Sequence, residues 1–313
     1  MATPKPTVRK KSLGKRILKD LATNKYNYLL LLPAILYYVV FHYFPMYGAQ
    51  IAFRDFYITK GILGSKWVGW KHFQTFFNSF YFGRLVRNTV LLSGYNIIFG
   101  FPAPIILALL LNEVRNQAFK RTVQTVTYLP HFISLVVSCG IVISFCRLNG
   151  LFNDIVAFFG KERILFLEKK EYFRTIYIAS GIWQEVGWGS IIYLSAISAI
   201  DMQLYETARI DGANRFQEAF HITIPGILPT IVILLILRVG RLMSLGYEKV
   251  LLLYNDSTRE TADIISTYVY TRGIQKGEYS FAAAVDLFNS VINMVLLLSV
   301  NWISKKVQGS GLF

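Results

Sequence analysis

Hydrophobic residues fall into six long runs, at positions 28–49, 89–111, 123–145, 176–200, 227–245 and 281–304, separated by polar stretches. Each run approaches the roughly 20 residues an α-helix needs to cross the hydrocarbon core of a bilayer. The pattern therefore predicts an all-α, polytopic membrane protein with six transmembrane helices. One separator differs from the rest. Residues 201–225 form a polar island that mixes small, acidic and aromatic side chains, and its local physics is readable. Asp201 can cap a first helical turn, Asp211-Gly212 is a natural break, and 214–220 offers a second short helix with Phe216 and Phe220 one turn apart. Pro225 fits the first turn of the following helix. A helix, a bend and a helix lying across the membrane surface are expected.

Composition agrees with a membrane location, since 54% hydrophobic and 15% aromatic residues over 313 positions are unusual in a soluble domain. Orientation follows from the basic residues. The tail, residues 1–25, carries Lys5, Arg9, Lys10, Lys11, Lys15, Arg16, Lys19 and Lys25 against Asp20, which keeps it cytoplasmic. Six crossings by the membrane domain, residues 26–313, return Lys305 and Lys306 to the same side. The loop with Arg115, Lys120 and Arg121 and the 201–225 island are then cytoplasmic, and the longer segments 57–82, 149–172 and 249–279 face outward. The net charge of +15 is explained by this topology and by anionic headgroups better than by nucleic acid. The tail lacks a small-residue cleavage site before a short apolar core, so 28–49 reads as a retained span. Cys139 and Cys146 lie two helical turns apart, too far to bond, and read as packing residues.

Several kinds of chemistry are missing. No Gly-x-x-x-x-Gly-Lys-Ser/Thr segment is present to cradle a nucleotide phosphate. His42, His72, His131 and His221 show no metal-ligand spacing, and no Gly-x-Ser-x-Gly or His-Glu-x-x-His occurs. The chain is expected to be neither an enzyme nor a metal protein.

The island resembles the EAA loop of permease subunits of bacterial ABC importers, in which Glu-Ala-Ala precedes a Gly and then Ile-x-Leu-Pro. The pattern falls on Glu206, Thr207, Ala208, Gly212, Ile222, Ile224 and Pro225, with Thr for the middle Ala and Ile for Leu. Further segments, among them Phe44-Pro45-Met46-Tyr47-Gly48, Tyr128-Leu129-Pro130, the run from Tyr247 to Asn255, Tyr279-Ser280-Phe281 and the final Gly311-Leu312-Phe313, are similar to permeases for polysaccharide fragments and complex oligosaccharides, the alginate permease among them. The resemblance implies a type I importer permease fold in a bacterial inner membrane. It also implies four kinds of partner: a second permease, a homologous different chain; two ATPase subunits that bind ATP and Mg; an extracytoplasmic binding protein; and a saccharide. It implies docking of the 201–225 loop on one ATPase, with Glu206, Arg209, Asp211 and Arg215 giving polar contacts. Thr207, Ala208, Gly212 and Ala213 would allow close approach, Phe216 would anchor in an apolar pocket, and Ile222 and Pro225 would complete the motif. The competing readings are a carrier or channel that needs no ATPase and a membrane-embedded glycan-modifying enzyme.

Within the spans, Trp183, Gln184, Trp188, Tyr193 and Asn96 are the candidates to touch sugar, because aromatic faces stack on C–H surfaces and amides bond hydroxyls. Glu185, Arg238, Arg241 and Asp286 also lie within spans, where charge is costly and should be paired or wet. Glu185 lies about 15 residues above the cytoplasmic end of its span and Arg238 about 13 residues into the next, so both reach roughly 20 Å. The expected pairs, direct or through water, are Glu185 with Arg238 and Asp286 with Arg241.

Overall fold

The computed structural model describes residues 14, 20 and 22–308. Most of the basic tail and the final Gly311-Leu312-Phe313 lie outside the described residues. Five helical segments are long and apolar enough to cross a membrane: Lys25–Phe53, Phe82–Glu113, Leu135–Phe158, Arg215–Val239 and Tyr279–Lys306. The sixth expected span corresponds to the 29-residue helix Lys170–Ser198. Its length is ample at 1.5 Å per residue, but Lys170, Glu171, Arg174, Gln184 and Glu185 make it more polar than the other five. It is also the central helix, burying Phe173, Tyr177, Ile178, Gln184, Gly187, Ser190, Tyr193 and Ile197. The only strands among the described residues are Arg54–Asp55 and Lys66–Trp67, an antiparallel pair beyond the first span.

In three spans one proline is accommodated by the same local device. A π-helical turn occupies Val39–Tyr43 before Pro45, Asn96–Gly100 before Pro102, and Ala219–Thr223 before Pro225. In each case the turn ends two residues before the proline. A proline ring would clash with the carbonyl four residues back, here Phe41, Ile98 and His221, each at the centre of its turn. Widening the turn moves that carbonyl aside, so the helix bends without breaking. Pro225 was expected to begin a new helix. It lies inside a continuous one, because the π turn joins Arg215–Glu218 to Ile224–Val239.

Two expectations about the spans need correction. The run at 123–145 is not one helix: Gln117–Tyr128 passes into a 3-10 turn at Leu129–Phe132, and a new helix, capped by Ser134, covers Leu135–Cys146. Pro130 has no N–H to continue the first helix, and Ser134 accepts from the Val137 amide to start the second. The outward segment 249–279 is not a loop. It contains Tyr247–Leu253, Arg259–Ala262 and Ile265–Tyr270, and Val250, Leu253, Ile264 and Ile265 are buried. This segment folds back against Leu92, Cys139, Val142, Phe173 and Tyr177 to form the largest core cluster. Both cysteines are free and buried, as expected from their spacing.

Candidate functional site

The polar island folds as a compact bracket. Asp201 accepts from the Gln203 amide at 2.9 Å and starts Met202–Ile210. Gly212 takes φ of +79°, and the amides of Gly212 and Ala213 bond back to Arg209 O and Ala208 O. These two bonds close the helix with a left-handed glycine. Asn214 then caps Arg215–Glu218 in a reciprocal box with Gln217. The outer surface of the bracket is apolar: Ile210 is 86% exposed and Phe216 78%, with Met202, Leu204 and Phe220 also exposed. Glu206, Asp211 and Gly212 are exposed, Ala208, Ala213 and Ile222 half-buried, and Pro225 exposed. Thr207 caps back to Gln203 O. Five large apolar side chains held in water by a well-capped scaffold mark a partner surface.

Arg209 and Arg215 were expected to serve an ATPase, yet both guanidiniums already have partners within this chain. Arg209 bonds Glu218 through Nε at 2.9 Å and Nη2 at 3.3 Å, and the side chain of Glu218 is only 5% exposed. The hydrogen bonds and charge of Glu218 push the Arg209 pKa further up. Arg215 Nη1 lies 3.0 Å from Glu113 Oε2, at the C-terminal end of the second span. Beneath, Tyr205 Oη and Thr223 Oγ1 bond at 2.9 Å in a buried position.

Within the membrane domain, the break in the third span faces the Lys170–Ser198 helix. His131 stacks on Trp188 with ring centroids 4.5 Å apart and planes 2° apart, and its Nδ1 lies 3.1 Å from Glu185 Oε2. Gln184 Nε2 donates to Ile133 O at 3.3 Å. Beside them a cavity of about 350 Å³ is lined by Asn96, Gln184, Glu185, Trp188, Arg238 and Lys249, among others. It shares Asn96, Tyr177 and Arg238 with a second cavity of about 500 Å³ that also reaches Ser93, Arg241 and Ser244. Of the candidate sugar contacts, Asn96, Gln184 and Trp188 come together. Trp183 faces a separate apolar cleft with Phe145 and Phe152, and Tyr193 is buried among Ala108, Ile197 and Ile227.

The expected charge pairs do not form as direct contacts. Glu185 is held by His131, and Arg238 Nη2 donates to Asn96 Oδ1 at 2.8 Å. Asp286 lines a different cavity from Arg241. The depth match between Glu185 and Arg238 was sound, since both line one cavity. Each nevertheless finds a partner on an earlier span, His131 at the helix break and Asn96 in the π turn. The second pair assumed a helix through 245, whereas it ends at Val239 and the chain turns. Arg238, Arg241 and Lys249 make no ion pair with any described acid. Lys249 instead donates to Tyr177 O at 3.0 Å, its ammonium 4.8 Å from the Tyr177 ring. Sequence reasoning missed Lys249 as a lining residue and His131 as the partner of Glu185. The usable signal for His131 was Pro130, which breaks a helix; Lys249 lay in a segment taken for a loop.

Apolar spans around a polar cavity, with a capped bracket that presents apolar side chains, define an integral membrane transport subunit that works with partner proteins. Residues 100–309 match the family described as binding-protein-dependent transport system inner membrane component, and the chain belongs to that family of multi-pass inner-membrane permeases. It is 47% identical to the polygalacturonan/rhamnogalacturonan transport system permease protein YteP of Bacillus subtilis (strain 168) over 307 residues, 97% of this chain and 95% of the relative. It is 45% identical to Protein LplB of the same organism over 294 residues, 94% of this chain and 92% of that one. Among solved structures it resembles a chain of the bacterial alginate ABC transporter in complex with alginate pentasaccharide-bound periplasmic protein. The TM-score is 0.87 at 43% identity, covering 95% of this chain and 100% of that one.

Proposed function

We propose that this chain is one permease subunit of an ATP-driven importer that takes an acidic oligosaccharide from an extracytoplasmic binding protein and releases it into the cytoplasm. ATP and Mg are bound by two partner ATPases. One of them receives the 201–225 bracket, with Phe216 and Ile210 as apolar anchors and Glu206 as a polar contact. A second, homologous permease completes the pathway, and both termini are cytoplasmic. Closure of the ATPases on ATP moves the bracket and tilts the spans, exposing the cavity outward; hydrolysis resets it.

The observation that carries the acidic character is the lining of the two connected cavities. Arg238, Arg241 and Lys249 face them without a direct ion pair and outnumber the one acid of that lining, Glu185, whose Oε2 contacts His131. Unpaired cations at membrane depth are costly unless water or a passing anion satisfies them, and a uronate carboxylate supplies that charge. The relatives named for polygalacturonan/rhamnogalacturonan and for alginate support this reading. Trp188 and His131 offer a flat face for the sugar ring. A carrier that needs no ATPase would leave the exposed apolar bracket without a role.

Uptake into proteoliposomes holding the complete complex tests the proposal. Labelled galacturonate oligomers should enter with ATP, and neutral malto-oligomers should not compete. Arg238→Gln and Arg241→Gln should each lower acidic uptake about tenfold, the value of one charge-assisted hydrogen bond. Equal transport of neutral oligomers, with no effect of either substitution, would remove the acidic substrate from the proposal.

A further inference from the structure

The two helices of the cytoplasmic bracket meet at Gly212, whose left-handed backbone has nothing within 4 Å of the place a Cβ would occupy. A turn of this kind is the weakest joint in the element. Force applied to Met202–Ile210 by an ATPase would bend the chain at residues 211–214 before moving the fifth span, unless something bridges the joint. Two side-chain contacts do so, and a third ties the bracket to the second span. Arg209, in the last turn of the first helix, grips Glu218 with two bonds across nine residues. Tyr205 bonds Thr223 across eighteen. Arg215 reaches Glu113 at the foot of the second span. The cleft these groups frame, about 520 Å³ in volume, is lined by Asn112, Glu113, Arg209, Arg215 and Glu218. Glu218 is one of the most buried acids of the described chain, an environment tolerable for a carboxylate only while its partner stays in place.

We infer that the Arg209–Glu218 pair, with Arg215–Glu113 beside it, is a strut that makes the bracket rigid and passes ATPase motion to the second and fifth spans together. Both pairs are positioning residues: they touch neither nucleotide nor saccharide. The inference rests on the coupling role proposed above. It differs from the motif's docking function because it concerns contacts inside the permease.

The test uses the whole complex in proteoliposomes, with Cys139 and Cys146 replaced by Ala and the partner chains free of reactive cysteine. Complex assembly is followed by co-purification, and the readout is saccharide taken up per ATP hydrolysed. In Arg209→Cys/Glu218→Cys no charge is stranded, so the complex should assemble and hydrolyse ATP while uptake per ATP falls about tenfold. Bridging the two thiols with a short bis-thiosulfonate should restore uptake per ATP to within about twofold of the parent, and a reductant should abolish it again. A role in folding alone would not switch on and off in an assembled complex, and restored coupling without the guanidinium excludes direct Arg209 contact with the ATPase as the cause. Arg209→Lys, which keeps the charge but loses the fork, should lose about threefold. Parental uptake per ATP in the unbridged double variant, or in Arg209→Lys should the double variant fail to assemble, would overturn the strut. So would bridging that changes nothing. If the parent complex retains no ATPase, the coupling role itself fails, which is a separate and distinguishable outcome.

Discussion

Gly187 lies directly on the backbone of the third span: a Cβ there would stand 2.1 Å from Thr127 O and 2.8 Å from Tyr128 N. The contact sits where the central helix crosses the end of Gln117–Tyr128, just before the break that carries His131. Backbone atoms cannot step aside as a side chain can, so Gly187→Ala must push the two helices apart. The expected loss is about 1–3 kcal/mol, the usual result of overpacking, read as a lower melting temperature of the purified complex. Gly181→Ala is the control on the same helix, because its Cβ would meet only the flexible end of Lys249 at 3.1 Å. Equal stability of the two variants would contradict the close crossing.

Gly212 makes a different demand. No atom obstructs a side chain within this chain, and the cost there lies in the +79° φ. A β-branched residue in that conformation costs roughly 1–2 kcal/mol, whereas Asn visits it readily. Gly212→Val should therefore lower ATP-driven uptake with the complex still inserted, and Gly212→Asn should retain most of it. Full uptake by the valine variant would remove the turn from the coupling pathway.

Much of this was legible in the chain itself. Asp201, Gly212 and the short helix near Phe216 act through neighbours a few residues away, and such local interactions leave a sequence signature. The depth shared by Glu185 and Arg238 followed from helical rise alone. Their partners did not, because His131 and Asn96 reach them through a 3-10 break and a π turn that hydropathy cannot register. Burial of Val250, Leu253 and Ile265 was also hidden: these short apolar stretches lack the length of a span, and only their long-range packing distinguishes them from a loop. Arg209 and Glu218 are nine residues apart, beyond the helical spacings that suggest a pair.

Outside the membrane, Asp55 ties the short hairpin to the following helix. Lys71 Nζ lies 2.8 and 3.0 Å from its two oxygens and His72 Nε2 3.1 Å from Oδ1. The Lys71 hydrogen bond, aided by attraction to Lys71 and His72, holds the carboxyl below its ordinary range. A depressed folded pKa means that the stabilisation is complete above the unfolded value near 3.9 and is lost as pH falls through the lower folded one. Hydrogen exchange in the Arg54–Asp55 and Lys66–Trp67 strands, taken relative to the intrinsic amide rate at each pH, should therefore accelerate on acidification from about pH 5 to pH 3. Asp55→Asn should show the fast rate throughout; a pH profile matching the parent would reject the link.

The direction of the spans fixes what the bracket can meet. In the orientation proposed above, with both termini and the 201–225 island cytoplasmic, the helix ending at Ser198 begins outside and carries Lys170, with its partner Glu260 2.7 Å away, to the outer surface. Both reporter positions suit chemical labelling, because Asn214 is exposed and the Lys170 side chain is 44% exposed. In a background without Cys139 and Cys146, Asn214→Cys should react with a membrane-impermeant maleimide only when the cytoplasmic face is open. Lys170→Cys should react from outside in intact cells. Reversed labelling would place the exposed Ile210 and Phe216 where no ATPase can reach them and would withdraw the coupling role; labelling of both positions from one face would instead remove Lys170–Ser198 from the set of membrane-crossing helices.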